Sequence, residues 1–238
     1  MSRAERTQRT ALLLGREQTD RLAERCVAVF GIGGVGSFAA EALARAGIGR
    51  LVLVDDDCVS ESNINRQLIA LSSTVGQPKV AVMAARIRDI HPEAEVVCRK
   101  VFFSEENADS FDFSAFDYVV DAIDSVSAKV ELICRCQQAG TPIISCMGAG
   151  NKLDPTRFVV TDLAKTDTCP LARVLRQRLR KRGITHLRVV YSTEPPCEPL
   201  ETVSDGHRRQ LPGSVPFVPP VAGFVAAGEV IRALCEKE

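Results

Sequence analysis

The 238-residue chain has no tryptophan, and only 5% of it is aromatic, which argues against a base-stacking platform as its main working surface. It also has no net charge: 30 lysines and arginines balance 30 aspartates and glutamates. Only local clusters can therefore point to partners. Near the N-terminus the only apolar run, Ala11 to Leu14, spans four residues before charge returns. That is too short for a signal peptide or a membrane span, so the expectation is a soluble, cytoplasmic protein with no membrane partner. Cysteine is plentiful at nine, yet no two form a C-x-x-C pair. This speaks against a structural zinc ribbon, and without a secretion signal the thiols are expected to be reduced. Cys26, Cys134 and Cys146 lie in apolar stretches and read as small core residues.

What is present is an alternation of short apolar strands and helices from residue 26 to about 147. Strands are expected at 26–31, 51–55, 94–101, 117–123 and 141–148, with helices at 34–47, 78–90 and 126–139. Such alternation predicts an α/β fold, a Rossmann-like, doubly wound, mostly parallel sheet covered on both faces. After Gly150 the pattern changes. Two strands, 157–163 and 186–192, flank a basic helix at 170–182, so the fold gains a C-terminal β-strand and basic-helix extension. Residues 193–220 are proline-rich and read as a crossover or lid, and an apolar helix at 221–235 closes the chain under the sheet. The organisation is then an N-terminal arm and helix (1–25), a nucleotide-binding core (26–150) and the extension (151–238), forming one continuous domain.

The chemistry centres on the turn Gly31-Ile32-Gly33-Gly34-Val35-Gly36 that follows the first strand. Glycines there make a tight turn, admit phosphate close to the backbone and let helix pack on strand. The amides at the helix N-terminus favour an anion. Asp55, nineteen residues past Gly36, ends the next strand and is placed to accept ribose hydroxyls. These residues specify a nucleotide without saying which, and an NAD-type site fits them equally. Arg66 and Lys79 tip the balance toward a triphosphate, because a departing pyrophosphate gathers negative charge that a redox cofactor does not. Each alone reads as a surface cation; together, in a polar segment with Ser62, Asn63, Asn65 and Gln67, they suit a phosphate site. Asp124, one residue past the fourth strand, suits Mg²⁺ bound with phosphate oxygens, with a helix N-cap as the plain alternative. Ser125 can take that N-cap role, and Asp121 is the competing metal ligand.

The set GIGGVGS, LVDDD, SNINRQ, VGQPK and DAIDS resembles the ubiquitin-activating-enzyme-like superfamily, whose members adenylate carboxylates with ATP. The resemblance implies ATP and Mg²⁺, with Asp55 on the ribose and Asn63, Arg66 and Lys79 on the triphosphate. Asp124 falls on the metal, and Gly31, Gly33, Gly34, Gly36, Asp57, Ser62, Gln67 and Ser125 complete the nucleotide site. It further implies a homodimer in which an N-terminal arginine, Arg6 or else Arg9, reaches the partner's site. The stretches DPT, DLAKT, STEP and PGSVPFVPPVAG are similar to the threonylcarbamoyladenosine dehydratase subgroup. That likeness implies modified tRNA, in its anticodon region, as the substrate, and allows a sulfur-acceptor protein as a further partner.

From Thr168 to Thr193 there are seven lysines or arginines and no acid. With Leu171, Val174, Leu175 and Leu179 as the apolar stripe, the cations project from the other face. Arg173, Arg176, Arg180, Lys181 and Arg182 then form a candidate RNA-backbone footprint, which His207, Arg208 and Arg209 extend. A solvated amphipathic helix is the plain alternative. Cys197 stands between Glu194 and Glu198 and reads as incidental; a thioester there, as Cys169 would offer more weakly, belongs to an activator of a ubiquitin-like or sulfur-carrier protein. A nicotinamide reductase and a non-catalytic, nucleotide-gated binding module also stay open on these residues.

Overall fold

The computed structural model describes residues 3–201 and 211–236, so His207, Arg208 and Arg209 lie outside the described residues. Three short helices, α1 (Arg3–Arg6), α2 (Gln8–Leu14) and α3 (Arg16–Leu22), lead into β1 (Cys26–Phe30). There follow α4 (Gly36–Ala46), β2 (Arg50–Val54), α5 (Lys79–Ile90), β3 (Glu95–Arg99), β4 (Tyr118–Asp121), α6 (Val126–Ala139) and β5 (Ile143–Cys146). The extension supplies β6 (Phe158–Asp162), α7 (Pro170–Arg180), β7 (Arg188–Ser192) and α8 (Pro219–Cys235).

The seven strands form one sheet in the order β3-β2-β1-β4-β5-β7-β6, parallel except for β6 against β7. This is the expected α/β architecture, and β6 and β7 join the same sheet as the core. The order reverses between β1 and β4, where Phe30 pairs with Asp121. Crossovers leave in opposite directions there, opening a crevice at the strand C-termini where α/β folds place ligands.

Alternation along β1 assigns its side chains to two cores. Val27 and Val29 meet α3, α4, α5 and α8, while Ala28 and Phe30 meet α6 and a phenylalanine cluster. Phe30 packs edge-on against Phe103 with centroids 5.1 Å apart. A third core joins α6 to α7 through Val130, Ile133, Leu175 and Leu179. Burial pushes the Cys26 thiol up to about 11 and the Cys146 thiol up to about 12, consistent with their reading as core residues.

Several elements are a residue or two shorter or longer than expected, and two of these differences have a plain physical reason. The fourth strand stops at Asp121, two residues early, because its Oδ1 accepts the Ile123 amide and turns the chain out of the sheet. The last helix begins at Pro219, whose missing N–H costs nothing in a first helical turn.

Candidate active site

Gly31 leaves β1 at φ +88, and a Cβ there would stand 2.6 Å from the Ala122 carbonyl oxygen. A Cβ on Gly36 would stand 1.8 Å from the Gly31 carbonyl oxygen. Both positions therefore require glycine, and together they seat the start of α4 against the strand ends. At the start of α4 the Ser37 amide donates to the Gly33 carbonyl and the Ala39 amide to the Val35 carbonyl, each at 3.1 Å, so it is the turn itself, Gly31 and Gly33 to Val35, that faces the crevice.

The crevice is a cavity of about 630 Å³. Gly31, Gly33, Gly34, Asp55, Asp57, Asn63, Arg66, Gln67, Lys79 and Asp124 all line it. Gly36 lies beneath it as packing. Ser62 and Ser125 stand outside the lining: Ser62 shares a hydrogen bond with the Ser60 hydroxyl, and Ser125 with that of Ser127. Arg6 is absent from the wall for a geometric reason. Its neighbour Thr7 packs on Gly47, just past the C-terminus of α4, whereas the cavity sits at the N-terminus. The eleven residues of α4 separate the two by about 16 Å.

Asp55 is the hub of the site. One oxygen accepts the Ile32 amide at 2.6 Å and the other the Asp57 amide at 2.9 Å, so the carboxylate also braces the glycine turn. Burial pushes its pKa above the usual aspartate range, against the opposing pull of Lys79 and the two amides. Lys79 is buried, with Nζ 2.6 Å from Asp57 and 3.8 Å from Asp55. Arg66 donates to the Ser62 carbonyl at 2.9 Å and to Asn65 Oδ1 at 2.8 Å. Asn63 Oδ1 accepts the Ser60 amide at 3.1 Å. Gln67 Oε1 is buried in the wall without a hydrogen-bond partner. A buried amide oxygen left this way costs free energy.

The two acids weighed as metal ligands separate cleanly. Asp124 is exposed at the cavity wall. Asp121 is fully buried and paired with Lys129 at 2.9 Å, so it is not available to an ion. Asp55, Asp56 and Asp57 also bring their carboxylates within 4.8 Å of one another. Lys79 already stands against two of them as the counter-charge.

Two parts of the wall were not among the site residues expected from the sequence. Val101, Phe102 and Phe103, just past β3, form one side, and Leu211 to Ser214 form another. The second comes from the proline-rich crossover, pinned by Gly213 N to Asn151 Oδ1 at 2.6 Å, Asn151 N to Gly213 O at 2.8 Å and Asn65 Nδ2 to Ser214 O at 3.0 Å. The proline and glycine content signalled a crossover; its landing point is set by pairing that sequence does not show.

The candidate RNA residues divide. Arg173, Arg180, Lys181 and Arg182 are exposed on α7 and just beyond it. Arg176 corrects the expectation of a uniformly outward basic face. It turns inward and donates to the Thr166 carbonyl at 2.6 Å and the Leu163 carbonyl at 3.1 Å. Val174, expected in the apolar stripe, is 37% exposed. Arg182 also reaches Glu131 at 3.4 Å. Among the described residues no helix is long and apolar enough to cross a membrane.

The tRNA threonylcarbamoyladenosine dehydratase of Bacillus subtilis is 48% identical to this chain over 236 residues, spanning 95% of this chain and 93% of that protein. The Escherichia coli enzyme of the same name is 39% identical over 248 residues, spanning 96% and 92%. The solved structure of E. coli tRNA N6-threonylcarbamoyladenosine dehydratase in complex with ATP matches with a TM-score of 0.88 at 39% identity, over 97% of this chain and 94% of that one. The ThiF family matches residues 6–238, and with a glycine turn, two cations and a carboxylate around one cavity, the chain belongs to that family.

Proposed function

We propose that the chain uses ATP to adenylate the carboxylate of threonylcarbamoyladenosine in tRNA and then closes that group on itself, with net loss of water. The observation that carries this reading is one cavity combining a glycine-walled helix N-terminus with Lys79, Arg66, Asn63 and Asp124. The named relatives support the choice of substrate.

The substrate carboxylate attacks the α-phosphorus, the bond to the bridging oxygen of pyrophosphate breaks, and pyrophosphate leaves with its electron pair. A nucleophile within the modification then attacks the acyl carbon and AMP departs. Attacker and target share one molecule, so effective molarity is high and no enzyme nucleophile is needed. Lys79 and Arg66 face the charge growing on pyrophosphate, and Asp55, ionised, accepts the ribose hydroxyls. Asp124 is the carboxylate suited to Mg²⁺, which supplies counter-charge to the phosphates when bound.

Arg173, Arg180, Lys181 and Arg182 serve the tRNA backbone. A second copy of the chain accounts for Arg6 lying far from its own cavity. The exposed Leu12 and Leu13 of α2 supply an apolar face for that copy, at 80% and 89% exposure. A sulfur-acceptor protein, as a further partner, would address an exposed thiol, of which Cys58, Cys98 and Cys197 are described.

The test is to incubate the protein with ATP, Mg²⁺ and threonylcarbamoyl-modified tRNA, then weigh the digested nucleosides. A mass lower by one water, with AMP formed, is expected; an unchanged nucleoside, or oxidation of NADH instead, overturns the reading. Arg6→Ala mixed with Asp124→Ala should recover turnover that neither has alone. No recovery would refute the partner arginine.

A further inference from the structure

A second cavity, of about 670 Å³, lies beside the nucleotide site and shares Phe102 and Phe103 with it. Nothing in the adenylation chemistry uses it. Its walls come from three elements: residues 102–106, the first turns of α6 from Ser127 to Glu131, and the end of α7 with Arg178, Lys181 and Arg182. Glu105 and Glu106 stand on the loop side; on the helix side Arg178, Lys181 and Arg182 outnumber the one carboxylate, Glu131, which Arg182 contacts at 3.4 Å.

Phe102 is the divider between the two cavities, and it is built to project. Its neighbour Phe103 is 3% exposed and locked into the phenylalanine core, while Phe102 is 50% exposed. The loop is held by Asn107, whose Nδ2 donates to the Phe102 carbonyl at 2.7 Å and whose Oδ1 accepts the Ser104 amide at 3.0 Å. An exposed ring on a braced loop has already lost much of the freedom that binding would otherwise cost it. The N-terminus of the fourteen-residue α6 adds positive potential to the wall, and the three cations offset the negative C-terminal end of α7 where they sit.

We propose that this second cavity takes the nucleotide next to the reacting adenosine in the RNA strand, its base stacked on Phe102. The inference rests on the tRNA reading given above. A nucleotide presents an anionic phosphate at one end, an aromatic face in the middle and N–H donors on its edge. Those match, in order, the wall of Arg178, Lys181 and Arg182, the ring of Phe102, and the carboxylates of Glu105 and Glu106. An acidic peptide would meet Glu105 and Glu106 as like charges. The shared Phe102 sets the two cavities side by side, so one strand passing over the ring can fill the second while its modified residue enters the first. The chain's poverty in aromatics is no obstacle, because a single ring suffices for one base.

The test couples the ring to the base. Binding is measured to an RNA hairpin carrying threonylcarbamoyladenosine, and to the same hairpin made abasic at either flanking position, with an ATP analogue that cannot be cut at the α-phosphate. Loss of one base–aromatic stack corresponds to roughly 5- to 150-fold weaker binding. One abasic position should weaken the wild type by that factor, and Phe102→Ala should weaken the intact hairpin equally. Combining the two should cost no more than either alone. Phe102→Tyr, which keeps the ring, should restore affinity and controls for folding. Arg178→Glu with Lys181→Glu should raise KM for the RNA more than KM for ATP. Independent, multiplying losses, or a Phe102→Ala defect confined to ATP, overturn the proposal. If the wild type dehydrates the hairpin yet shows no coupling, this inference alone fails. If coupling holds without dehydration, the catalytic reading fails and the RNA cavity stands.

Discussion

Removing Lys129 should be among the most damaging single changes in the chain, although it touches no substrate. Lys129 and Asp121 are both fully buried with Nζ 2.9 Å from Oδ1. Asp121 also accepts the Ser145 hydroxyl at 2.5 Å and the Ile123 amide at 3.2 Å. In Lys129→Ala those two donors remain, but the carboxylate has lost its counter-charge in a place water does not reach. Breaking one side of such a pair costs about 3–5 kcal/mol, because a buried charge is left uncompensated. That is a large part of the roughly 5–15 kcal/mol that holds a domain folded. At about 2–4 °C per kcal/mol for a chain of this size, melting should fall by roughly 6–20 °C. Urea titration followed by circular dichroism reads the first figure and a thermal scan the second.

Replacing both partners together, Asp121→Leu with Lys129→Met, should recover much of the loss by removing the orphaned charge. A cost for Lys129→Ala below about 1 kcal/mol, the worth of a solvated surface pair, would refute this account of the pair.

Three further outcomes follow from the site. Gly36→Ala places a Cβ 1.8 Å from the Gly31 carbonyl; the turn must move, and ATP affinity measured by calorimetry should drop about tenfold or more, equivalent to about 1.4 kcal/mol. ATP affinity should also weaken on acidification at a pH above the ordinary aspartate range, because burial raises the Asp55 pKa and the protonated form loses an acceptor for ribose; Asp55→Asn should flatten that profile in the same titration. Arg176→Ala should appear in urea stability, at about 1–3 kcal/mol for the Thr166 carbonyl that loses its donor, while the Leu163 carbonyl keeps the Thr166 amide and hydroxyl; Arg180→Ala should instead appear as a shallower salt dependence of tRNA binding.

Legibility followed the reach of the interactions. The turn at Gly31–Gly36, the acid Asp55 and the strand–helix alternation depend on neighbours in sequence, and each sits where periodicity put it. Arg66, Lys79 and Asp124 come from three segments, yet all follow strand C-termini, so the parallel topology brings them to one cavity. Long-range pairing was not readable. Asp121 resembled a metal ligand because Lys129 lies eight residues on, inside the next helix. Arg176 resembled a surface cation because helical phase marks the solvent side but cannot show that the Thr166 carbonyl lies within reach. Phe102 escaped notice because an exposed aromatic matters only once its neighbours are known.

Cys197 is where that difference bears on mechanism, since a thioester relay would make the chain a protein activator. The thiol is exposed and contacts Glu194 Oε1 at 3.9 Å. That carboxylate is fixed in place by the amides of Leu153 at 2.9 Å and Asp154 at 3.0 Å. It repels a thiolate, the form a relay requires. Lys152, the cation nearby, is engaged with the Glu194 carbonyl, and burial pulls its pKa down, which weakens it as a counter-charge. Cys197 also lies outside the lining of the nucleotide cavity. An acyl-adenylate attacked from within its own molecule gains an effective concentration of about 10⁵ M or more, so a detour through this thiol would add a step without lowering a barrier. Cys197→Ser should therefore keep dehydration within about twofold of wild type. A loss of roughly a hundredfold with the fold intact would place the thiol on the reaction path. The ring closure would then need a covalent enzyme intermediate that Glu194 and Lys152 are poorly arranged to support.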